Sequence, residues 1–364
     1  MEANAMVLTH FNALLEPREF EIVPLKPGEV LVKLQSSGIC GSDVHMWKGN
    51  DPRTPVPIIL GHEGVGVIAE IGVQKYDVHG EILKPGDAVV FDRGLTCGEC
   101  YFCKAKHKPY LCPSRKTYGI SIGCSTPPYL NGCYAEYIHL DSRIKVVKLN
   151  GEYDPDVLVS ATCSGATIAH SFDMCRLEPG DTVVIQGPGA TGIYSTAFAK
   201  EAGAENIIVI GTERSRHRLE LCKEFGATDI LINDKTTADE RIEFVRSKTQ
   251  GRGAELVVEC TGNVNALAEG VKMVAPGGMY ALPGIATPVG YVEFDVYTDI
   301  CRKNVALQGS WVNDYTHLEK AVRLVLSGKY PFNKIVTHRY PLKDANIALE
   351  MAVNRKALKA VINP

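Results

Sequence analysis

The chain has 364 residues, of which 45% are hydrophobic and 22% are charged. This balance is typical of a globular protein with well-packed cores, and the length favours roughly two domains. The formal net charge of −3 at pH 7 indicates no basic surface for nucleic acid or for an anionic membrane, so we expect a small-molecule partner.

The first residues and the cysteines bear on location. Residues 1–6 contain no basic region followed by an apolar block, and no apolar run has the length of a membrane span. We therefore expect a cytoplasmic protein without a membrane partner. Twelve cysteines are too sparse for a disulfide scaffold in this chain, and clustered cysteines in a reducing compartment indicate metal sites.

Short strands are predicted throughout the first half of the chain. Val30, Val32 and Leu34 alternate with residues 31, 33 and 35, which is the period-two pattern of a half-buried strand. Further strand-like runs lie at residues 65–71, 88–91 and 134–140. Such strands, punctuated by glycine and proline, predict an antiparallel, barrel-like β domain.

Predicted strands and helices alternate past about residue 155. Apolar runs of strand length lie at residues 182–185, 207–210, 229–232 and 256–259, and helical segments follow the first three of them. This alternation predicts βαβ units and a parallel sheet. Two more helices, at 318–326 and 345–353, and a last strand at 358–362 are predicted near the end of the chain.

A glycine-rich turn follows the first strand of the second half. Its residues are Gly187, Pro188, Gly189, Ala190, Thr191 and Gly192, which fit G-x-G-x-x-G. The first glycine permits a tight turn, the second lets the backbone approach a pyrophosphate, and the third allows a helix to pack closely on the strand. We predict a dinucleotide site here, with an ordinary glycine-rich turn as the weaker alternative.

The residues after the next strand bear on which nucleotide is bound. Glu213 lies 21 residues beyond Gly192, where an acidic side chain would bind the ribose diol of NAD. Arg214 and Arg216 follow it closely and could instead hold the 2′-phosphate of NADP, or lie in solvent at the start of a helix. We favour NAD and keep NADP open.

Four cysteines cluster in the first half of the chain. Cys97, Cys100 and Cys103 form C-x-x-C-x-x-C, and Cys112 follows nine residues later. Four thiolates at this spacing can enclose one tetrahedral zinc with no open position, which is a structural site. Two disulfides or inert thiols are the alternatives, and His107 inside the loop could replace one cysteine.

Other metal-ligating residues are spread along the chain. The segment Gly38 to His45 contains Cys40, and the segment Gly61 to Gly66 contains His62 and Glu63, while Cys163 lies far from both. Spacing alone does not show that these residues meet, and a single buried cysteine or histidine is usually part of a core. If they meet, two thiolates and one imidazole suit a catalytic zinc with an open position, and Asp43 would orient His62.

Four motifs, in their order along the chain, resemble those of the zinc-containing medium-chain dehydrogenase/reductase family, which includes alcohol, polyol and threonine dehydrogenases. They are Gly38 to His45, Gly61 to Gly66, the four-cysteine loop and the glycine-rich turn. The resemblance covers essentially the whole chain. It implies an α/β protein in which a GroES-like, β-rich catalytic domain is formed by residues 1–163 and 312–364. It also implies a Rossmann domain with a doubly wound parallel sheet at residues 164–311.

The resemblance further implies which residues hold the catalytic zinc. Cys40, His62 and a third residue would be ligands, with Glu63 as an alternative or transient one. The segment from Cys163 is similar to the alcohol dehydrogenase stretch that holds the third cysteine ligand and a threonine, here Thr167, beside the nicotinamide. Polyol dehydrogenases usually have glutamate there, although Gly38 to His45 resembles theirs. The last gap of the four-cysteine loop is also one residue longer than the family usually has.

The reaction implied is reversible hydride transfer between an alcohol and NAD(P), with zinc as a Lewis acid. Ser42 would accept the first proton, and His45 would pass it outward through the cofactor ribose. Simple alcohols, polyols or sugars, and amino alcohols all stay open as substrates, and the family implies a homodimer or homotetramer. The alternatives are a zinc-free reductase of activated double bonds and a non-catalytic dinucleotide-binding protein of the same fold.

Overall fold

The computed structural model describes all 364 residues of the chain. The strands, in chain order, are β1 Glu2–Leu8, β2 Glu16–Glu21, β3 Val30–Ile39, β4 Ile58–Ile59, β5 Gly64–Ile71, β6 Ala88–Phe91, β7 Gly94–Leu95, β8 Lys116–Thr117, β9 Tyr137–Leu140, β10 Val146–Lys148, β11 Thr182–Gln186, β12 Asn206–Gly211, β13 Asp229–Ile232, β14 Ala254–Glu259, β15 Val274–Leu282, β16 Ala306–Gly309, β17 Val336–Pro341 and β18 Lys359–Asn363. The α-helices are α1 Gly41–Trp47, α2 Tyr101–Lys104, α3 Pro155–Leu158, α4 Ser164–Met174, α5 Ala190–Glu201, α6 Arg216–Glu224, α7 Ala238–Lys248, α8 Val264–Met273, α9 Tyr315–Leu326 and α10 Ala345–Val353.

The chain divides into two compact units. Unit 1 comprises Met1–Ala166, Asn313–Gly328 and Phe332–Pro364, and unit 2 comprises Thr167–Val312 and Lys329–Pro331. None of the helices combines the length and the apolar character needed to cross a bilayer.

The main sheet of unit 1 has seven strands, in the order β10-β6-β5-β3-β18-β17, with β9 also paired to β3. Its pairs are antiparallel except for β17 with β18. The strand predicted from Val30 is confirmed as β3, and its period-two pattern holds from Val32 to Gln35, where Lys33 and Gln35 are exposed; Leu31, expected on the same face as these two, is buried. The alternation ends after Gln35, and the rest of β3 is buried on both faces.

Pairing with β3 places three distant segments side by side. Ser37 of β3 pairs with Gly64 of β5, which brings His62 and Glu63 to the end of β3. On the other side Ile39 pairs with Ala360 of β18, which brings the C-terminal strand next to the same end. Cys40 follows β3 directly, so the sheet itself assembles the surroundings of this residue.

Unit 2 contains a six-stranded sheet in the order β13-β12-β11-β14-β15-β16, and all neighbouring strands are parallel. Because the strand order reverses between β11 and β14, this is a doubly wound sheet, and ligands of such sheets bind at the carboxyl ends of the strands near that reversal. All five residues of β11 are buried, as its continuous apolar run predicts. The parallel sheet expected from the alternation of strands and helices is thus confirmed.

Candidate functional site

Four of the predicted zinc ligands meet in unit 1. One ligand atom from each of Cys40, His62, Glu63 and Cys163 lies within 4.8 Å of the others. Three of these residues are buried and Cys40 is half-buried, and the sulfur atoms of Cys40 and Cys163 are 3.9 Å apart. Strand pairing at the end of β3 supplies the first three, and Cys163 comes directly before α4. We name these four residues the catalytic cluster.

His62 is oriented from behind by Asp43. Its Nδ1 lies 3.4 Å from Oδ1 of Asp43, and both side chains are fully buried. Both ring nitrogens are buried and neither makes a hydrogen bond; Nδ1 is the one beside Asp43, which leaves Nε2 for another partner. An unpartnered buried nitrogen is costly, and a carboxylate behind a metal-binding histidine is the usual arrangement. The geometry of His62 therefore fits a metal on Nε2.

The pKa values of the catalytic cluster reflect how closely its ionisable groups lie together. Burial alone would lower the pKa of His62, but Asp43 and the Cys40 thiolate raise that pKa to about 9. The hydrogen bond from Cys163, together with His62 and Lys359, holds the pKa of Cys40 well below its usual range. The same hydrogen bond and burial raise the pKa of Cys163. A divalent cation would favour the deprotonated form of both thiols, since a coordinating thiol loses its proton.

Glu63 is held by a lysine that the sequence analysis missed. Lys359 Nζ donates to Oε1 and Oε2 of Glu63 at 2.8 and 2.7 Å, and also to Ile39 O at 3.2 Å. Both side chains are buried. Burial raises the pKa of Glu63 to about 7, against the opposing effect of Lys359. The signal in the sequence was a single cation inside the otherwise apolar last strand.

Ser42 and His45 lie on α1, which begins at Gly41. Ser42 Oγ donates to Cys40 Sγ at 3.2 Å, so its hydroxyl is at the catalytic cluster. His45 is in the last turn of the helix, its Nδ1 is buried without a hydrogen-bond partner, and burial lowers its pKa. The side chains of Ser42 and His45 are not hydrogen-bonded to each other.

The four cysteines of the loop also meet, each with its sulfur within 4.8 Å of the other three. The backbone N–H groups of Glu99 and Cys100 lower the pKa of Cys97 to about 6, and burial raises the pKa of Cys103 to about 12. The longer last gap folds into a short 3₁₀ turn, Pro109–Leu111, that delivers Cys112 to the group. His107 is not one of the four, and the donor set fits a closed tetrahedral zinc.

The dinucleotide turn of unit 2 is built as its glycines require. Gly187 has φ 105°, which favours glycine, and a Cβ on Gly192 would lie 1.8 Å from Gly187 O. A Cβ on Gly189 would meet nothing within 4 Å, so the space beside it is open. The helix α5 begins at Ala190 without a side-chain cap, so Thr191 and its neighbours have N–H groups available for a phosphate.

Glu213 lies just beyond the end of β12. Its Oε1 and Oε2 accept hydrogen bonds from Nε and Nη2 of Arg216 at 2.9 and 3.1 Å, and Lys235 Nζ lies 3.1 Å from Oε2. Arg214 adjoins Glu213 in the same short 3₁₀ segment, Glu213–Ser215. Thr167 lies in the first turn of α4. The carboxylate of Glu213 is thus oriented by two cations at the strand end where a ribose would bind.

Comparisons with known proteins match both halves of the chain. Residues 26–151 match the model of the alcohol dehydrogenase GroES-like domain, and residues 190–327 match that of the zinc-binding dehydrogenases. The chain is 31% identical to 5-exo-hydroxycamphor dehydrogenase of Pseudomonas putida, over 99% of this chain and 98% of that protein.

Solved structures agree with these matches. An alcohol dehydrogenase from Thermotoga maritima is 47% identical, with a TM-score of 0.96 and complete coverage of both chains. A zinc-binding dehydrogenase from Sinorhizobium meliloti, solved with NADP, is 25% identical, with a TM-score of 0.86 and complete coverage of both chains. The GroES-like and Rossmann fold classes expected from the sequence are confirmed.

Proposed function

This chain belongs to the zinc-containing medium-chain dehydrogenase/reductase family, and from that premise we propose which of its residues carry the reaction. It is a zinc-dependent alcohol oxidoreductase that uses a nicotinamide cofactor. We assign catalysis to unit 1 and coenzyme binding to unit 2. The observation that carries the assignment is the convergence of Cys40, His62 and Cys163 from distant parts of the chain within 4.8 Å.

Bound at the catalytic cluster, zinc would supply Lewis-acid activation of the alcohol, and NAD(P) would accept the hydride. The chain's own groups then handle the proton. Ser42 is our candidate for the first acceptor, because its hydroxyl contacts Cys40. His45 is our candidate for the outward link, because burial lowers its pKa and so favours the neutral imidazole, which accepts a proton.

We propose Cys163 rather than Glu63 as the third zinc ligand. Both oxygens of Glu63 accept hydrogen bonds from Lys359, whereas the Cys163 thiol is joined only to the Cys40 thiol. Moving Glu63 onto the metal would leave a buried ammonium without its carboxylate, which is strongly unfavourable. Two thiolates and one imidazole complete a known catalytic set without that loss. In this arrangement the hydrogen bonds from Lys359 hold the Glu63 carboxylate away from the metal.

Replacing Lys359 with methionine is expected to let Glu63 coordinate the zinc. The methionine fills the space of the lysine side chain but cannot donate a hydrogen bond. The Glu63 carboxylate is then stabilised more by coordinating the zinc ion than by lying beside an apolar side chain. Zinc-edge X-ray absorption of Lys359→Met should reveal an added oxygen at about 2.0–2.2 Å. The control Lys359→Arg keeps the charge and should retain the wild-type spectrum. An unchanged spectrum in a folded, zinc-loaded Lys359→Met protein would rule out this role.

We propose NAD as the preferred cofactor. Glu213 supplies the carboxylate for the ribose diol, and its two hydrogen bonds from Arg216 keep that arginine engaged. A 2′-phosphate would lie against the negative charge of Glu213, which disfavours NADP.

Glu213→Gln is therefore expected to change cofactor preference by about tenfold or more toward NADP, since a hydrogen bond to a charged group is worth about 1.5–3 kcal/mol. The substitution weakens the ribose contact and releases Arg216 toward a phosphate. Steady-state kcat/KM with each cofactor measures the change. The matched control is Glu220→Gln, which removes an exposed carboxylate paired with Lys223 on α6. Equal ratios in the two variants would refute the assignment of Glu213.

We propose that the chain forms a homodimer or homotetramer through the outer edge of the unit 2 sheet. Strand β16 pairs with β15 on one side and has an open edge on the other, and its Leu307 is 41% exposed. Val296 and Tyr297 are more exposed still. Open strand edges with apolar side chains are ready interfaces. Sedimentation equilibrium should give two or four chains per particle, and a monomer at micromolar concentration would contradict this.

We propose a cytoplasmic location on chemical grounds. Both four-residue groups hold their cysteines as free thiols, and zinc binds the thiolate rather than a disulfide. A reducing compartment maintains that state.

The proposed reaction is tested with a panel of primary, secondary and polyhydric alcohols, each with NAD and with NADP, while nicotinamide absorbance is followed. Zinc content is measured on the same preparation. Turnover by zinc-loaded protein that a chelator abolishes supports the proposal. Zinc-loaded protein that is inert on the whole panel and on the matching carbonyl compounds would favour a non-catalytic dinucleotide-binding protein.

A further inference from the structure

Arg93 is a buried cation beside the catalytic cluster. It follows β6 closely in the chain, and only 5% of its surface is exposed. Its Nη1 donates to Thr162 O at 3.0 Å, and Thr162 immediately precedes Cys163. The guanidinium therefore lies against the backbone that carries one of the proposed zinc ligands.

Most of the donors of this guanidinium are unused. The bond to Thr162 is its only hydrogen bond, its Nε is buried without a partner, and no carboxylate forms an ion pair with it. Arg241, which is buried to the same degree in unit 2, donates to both oxygens of Glu269 and to two backbone carbonyl groups. A buried guanidinium normally has such partners, because an unpaired charge in the interior is costly.

The thiols of the catalytic cluster do not replace the missing partner once zinc is bound. Burial alone would lower the pKa of Arg93, but the charges of Cys163 and Cys40 raise it. Cys40 and Cys163 would hold a zinc ion whose charge would neutralise their two thiolates. The other cation of the site, Lys359, is already paired with Glu63. Arg93 is thus the one cation beside the cluster that is left without a counter-charge of its own.

We propose that Arg93 binds a carboxylate of the substrate, so that the alcohols this enzyme oxidises are hydroxy acids. This rests on the proposed function, because the hydroxyl group must lie at the catalytic cluster. Nη1 is engaged by Thr162 and Nε is shut off from solvent, so Nη2 is the donor left to make a charge-assisted hydrogen bond to the carboxylate. A phosphate ester would carry more charge than this single cation offsets.

The test compares matched substrates that differ in charge: 2-butanol with 3-hydroxybutyrate, and glycerol with glycerate and with glycerol 3-phosphate. In the wild-type protein kcat/KM should be at least about tenfold higher for the hydroxy acid of each pair. Arg93→Met should lower the ratio of kcat/KM for the hydroxy acid to kcat/KM for the alcohol by about a hundredfold, mostly through KM, because it removes a buried, charge-assisted contact. Arg93→Lys should recover part of that loss.

A binding measurement separates this inference from the proposed function. Butyrate and butyramide are titrated calorimetrically into the zinc-loaded protein; the wild type should bind butyrate more tightly, and Arg93→Met should lose that preference. Arg143→Gln, which removes an exposed arginine paired with Asp141, is the matched control and should keep it. Melting temperatures confirm that each variant is folded.

The outcomes are distinct. Turnover of neutral alcohols with no preference for hydroxy acids would overturn the role of Arg93 and leave the proposed function standing. Absence of turnover on every alcohol would refute the proposed function, and the butyrate titration would then decide whether Arg93 is an anion site. Preference for glycerol 3-phosphate over glycerate would overturn the assignment of a carboxylate. If the ratio of kcat/KM for the hydroxy acid to kcat/KM for the alcohol were equal in the wild type and in Arg93→Met, the role of Arg93 would also be overturned.

Discussion

Replacing Cys163 with alanine is expected to lower kcat by about a thousandfold or more, which corresponds to about 4 kcal/mol of lost transition-state stabilisation. The change removes one of the two thiolates that converge at the catalytic cluster, and with it a proposed ligand. Zinc content should fall from two ions per chain to about one. Dinucleotide binding should persist, because the glycine-rich turn belongs to unit 2.

Three measurements on Cys163→Ala check this result: turnover on the alcohol panel, zinc content, and a titration with NAD followed by fluorescence. The control is Cys124→Ala, which removes a buried thiol of unit 1 that lies in the apolar core and in neither cysteine group. Wild-type activity in Cys163→Ala would remove Cys163 from the site. Loss of both activity and NAD binding would instead indicate misfolding, which Cys163→Ser would then test with a smaller change of volume.

Replacing Cys100 with serine is expected to lower the stability of the protein, and to lower activity only through the loss of folded protein. A metal that binds only the folded state at a thousand times its Kd contributes about 4 kcal/mol, which corresponds to a fall of about 10 °C in melting temperature. Cys100 contributes one of four sulfurs within 4.8 Å, and a structural zinc needs all of them. Calorimetry and metal analysis together measure the effect.

Cys301→Ser is the control for this experiment, because Cys301 is an exposed thiol outside both groups. It should leave melting temperature and zinc content unchanged. An unchanged melting temperature and full metal content in Cys100→Ser would refute the interpretation of the four-cysteine loop as a structural zinc site. Activity measured well below the melting temperature should be retained in proportion to the folded fraction.

Local patterns predicted much of the fold. The alternation from Val30, the continuous apolar run at β11 and the glycine-rich turn each depend on neighbours in sequence, and each lies where it was expected. Strand β15 was not predicted, because Pro276, Gly277 and Gly278 within it are typical of a turn and its pairing with β14 shifts register there. Strand β16 was missed because its exposed edge carries no apolar alternation.

No helix was predicted in the segment from Gly38 to His45, but its second half is part of the helix α1. Glycine, serine and aspartate have low helix propensity, so composition argued against a helix. Tertiary contacts override it: Asp43 Oδ2 accepts a hydrogen bond from Cys40 N at 2.7 Å, and Oδ1 accepts one from Gly61 N at 3.3 Å. The same carboxylate thus caps the helix and orients His62.

Contacts between distant residues could not be predicted from one sequence. Cys40 and Cys163 are 123 residues apart, and the tertiary structure of unit 1 brings their segments together. Lys359 and Arg93 gave weaker signals, a cation in an apolar strand and a cation just after one. Neither pattern specifies a partner, because burial and pairing are decided by the tertiary structure.

The hydrogen bonds between Lys359 and Glu63 span 296 residues, which has a consequence for biosynthesis. At about 5–20 residues per second, a ribosome reaches Lys359 roughly 15–60 s after it has made Glu63. Once Cys163 has also been made, the nascent chain has Cys40, His62 and Cys163 but still lacks β18 and the lysine that restrains the carboxylate. The continuous segment of unit 2, Thr167–Val312, is complete before then, so this unit can fold first. The catalytic cluster is therefore among the last parts of the molecule to be completed, and metal delivered to a nascent chain would meet an unrestrained Glu63.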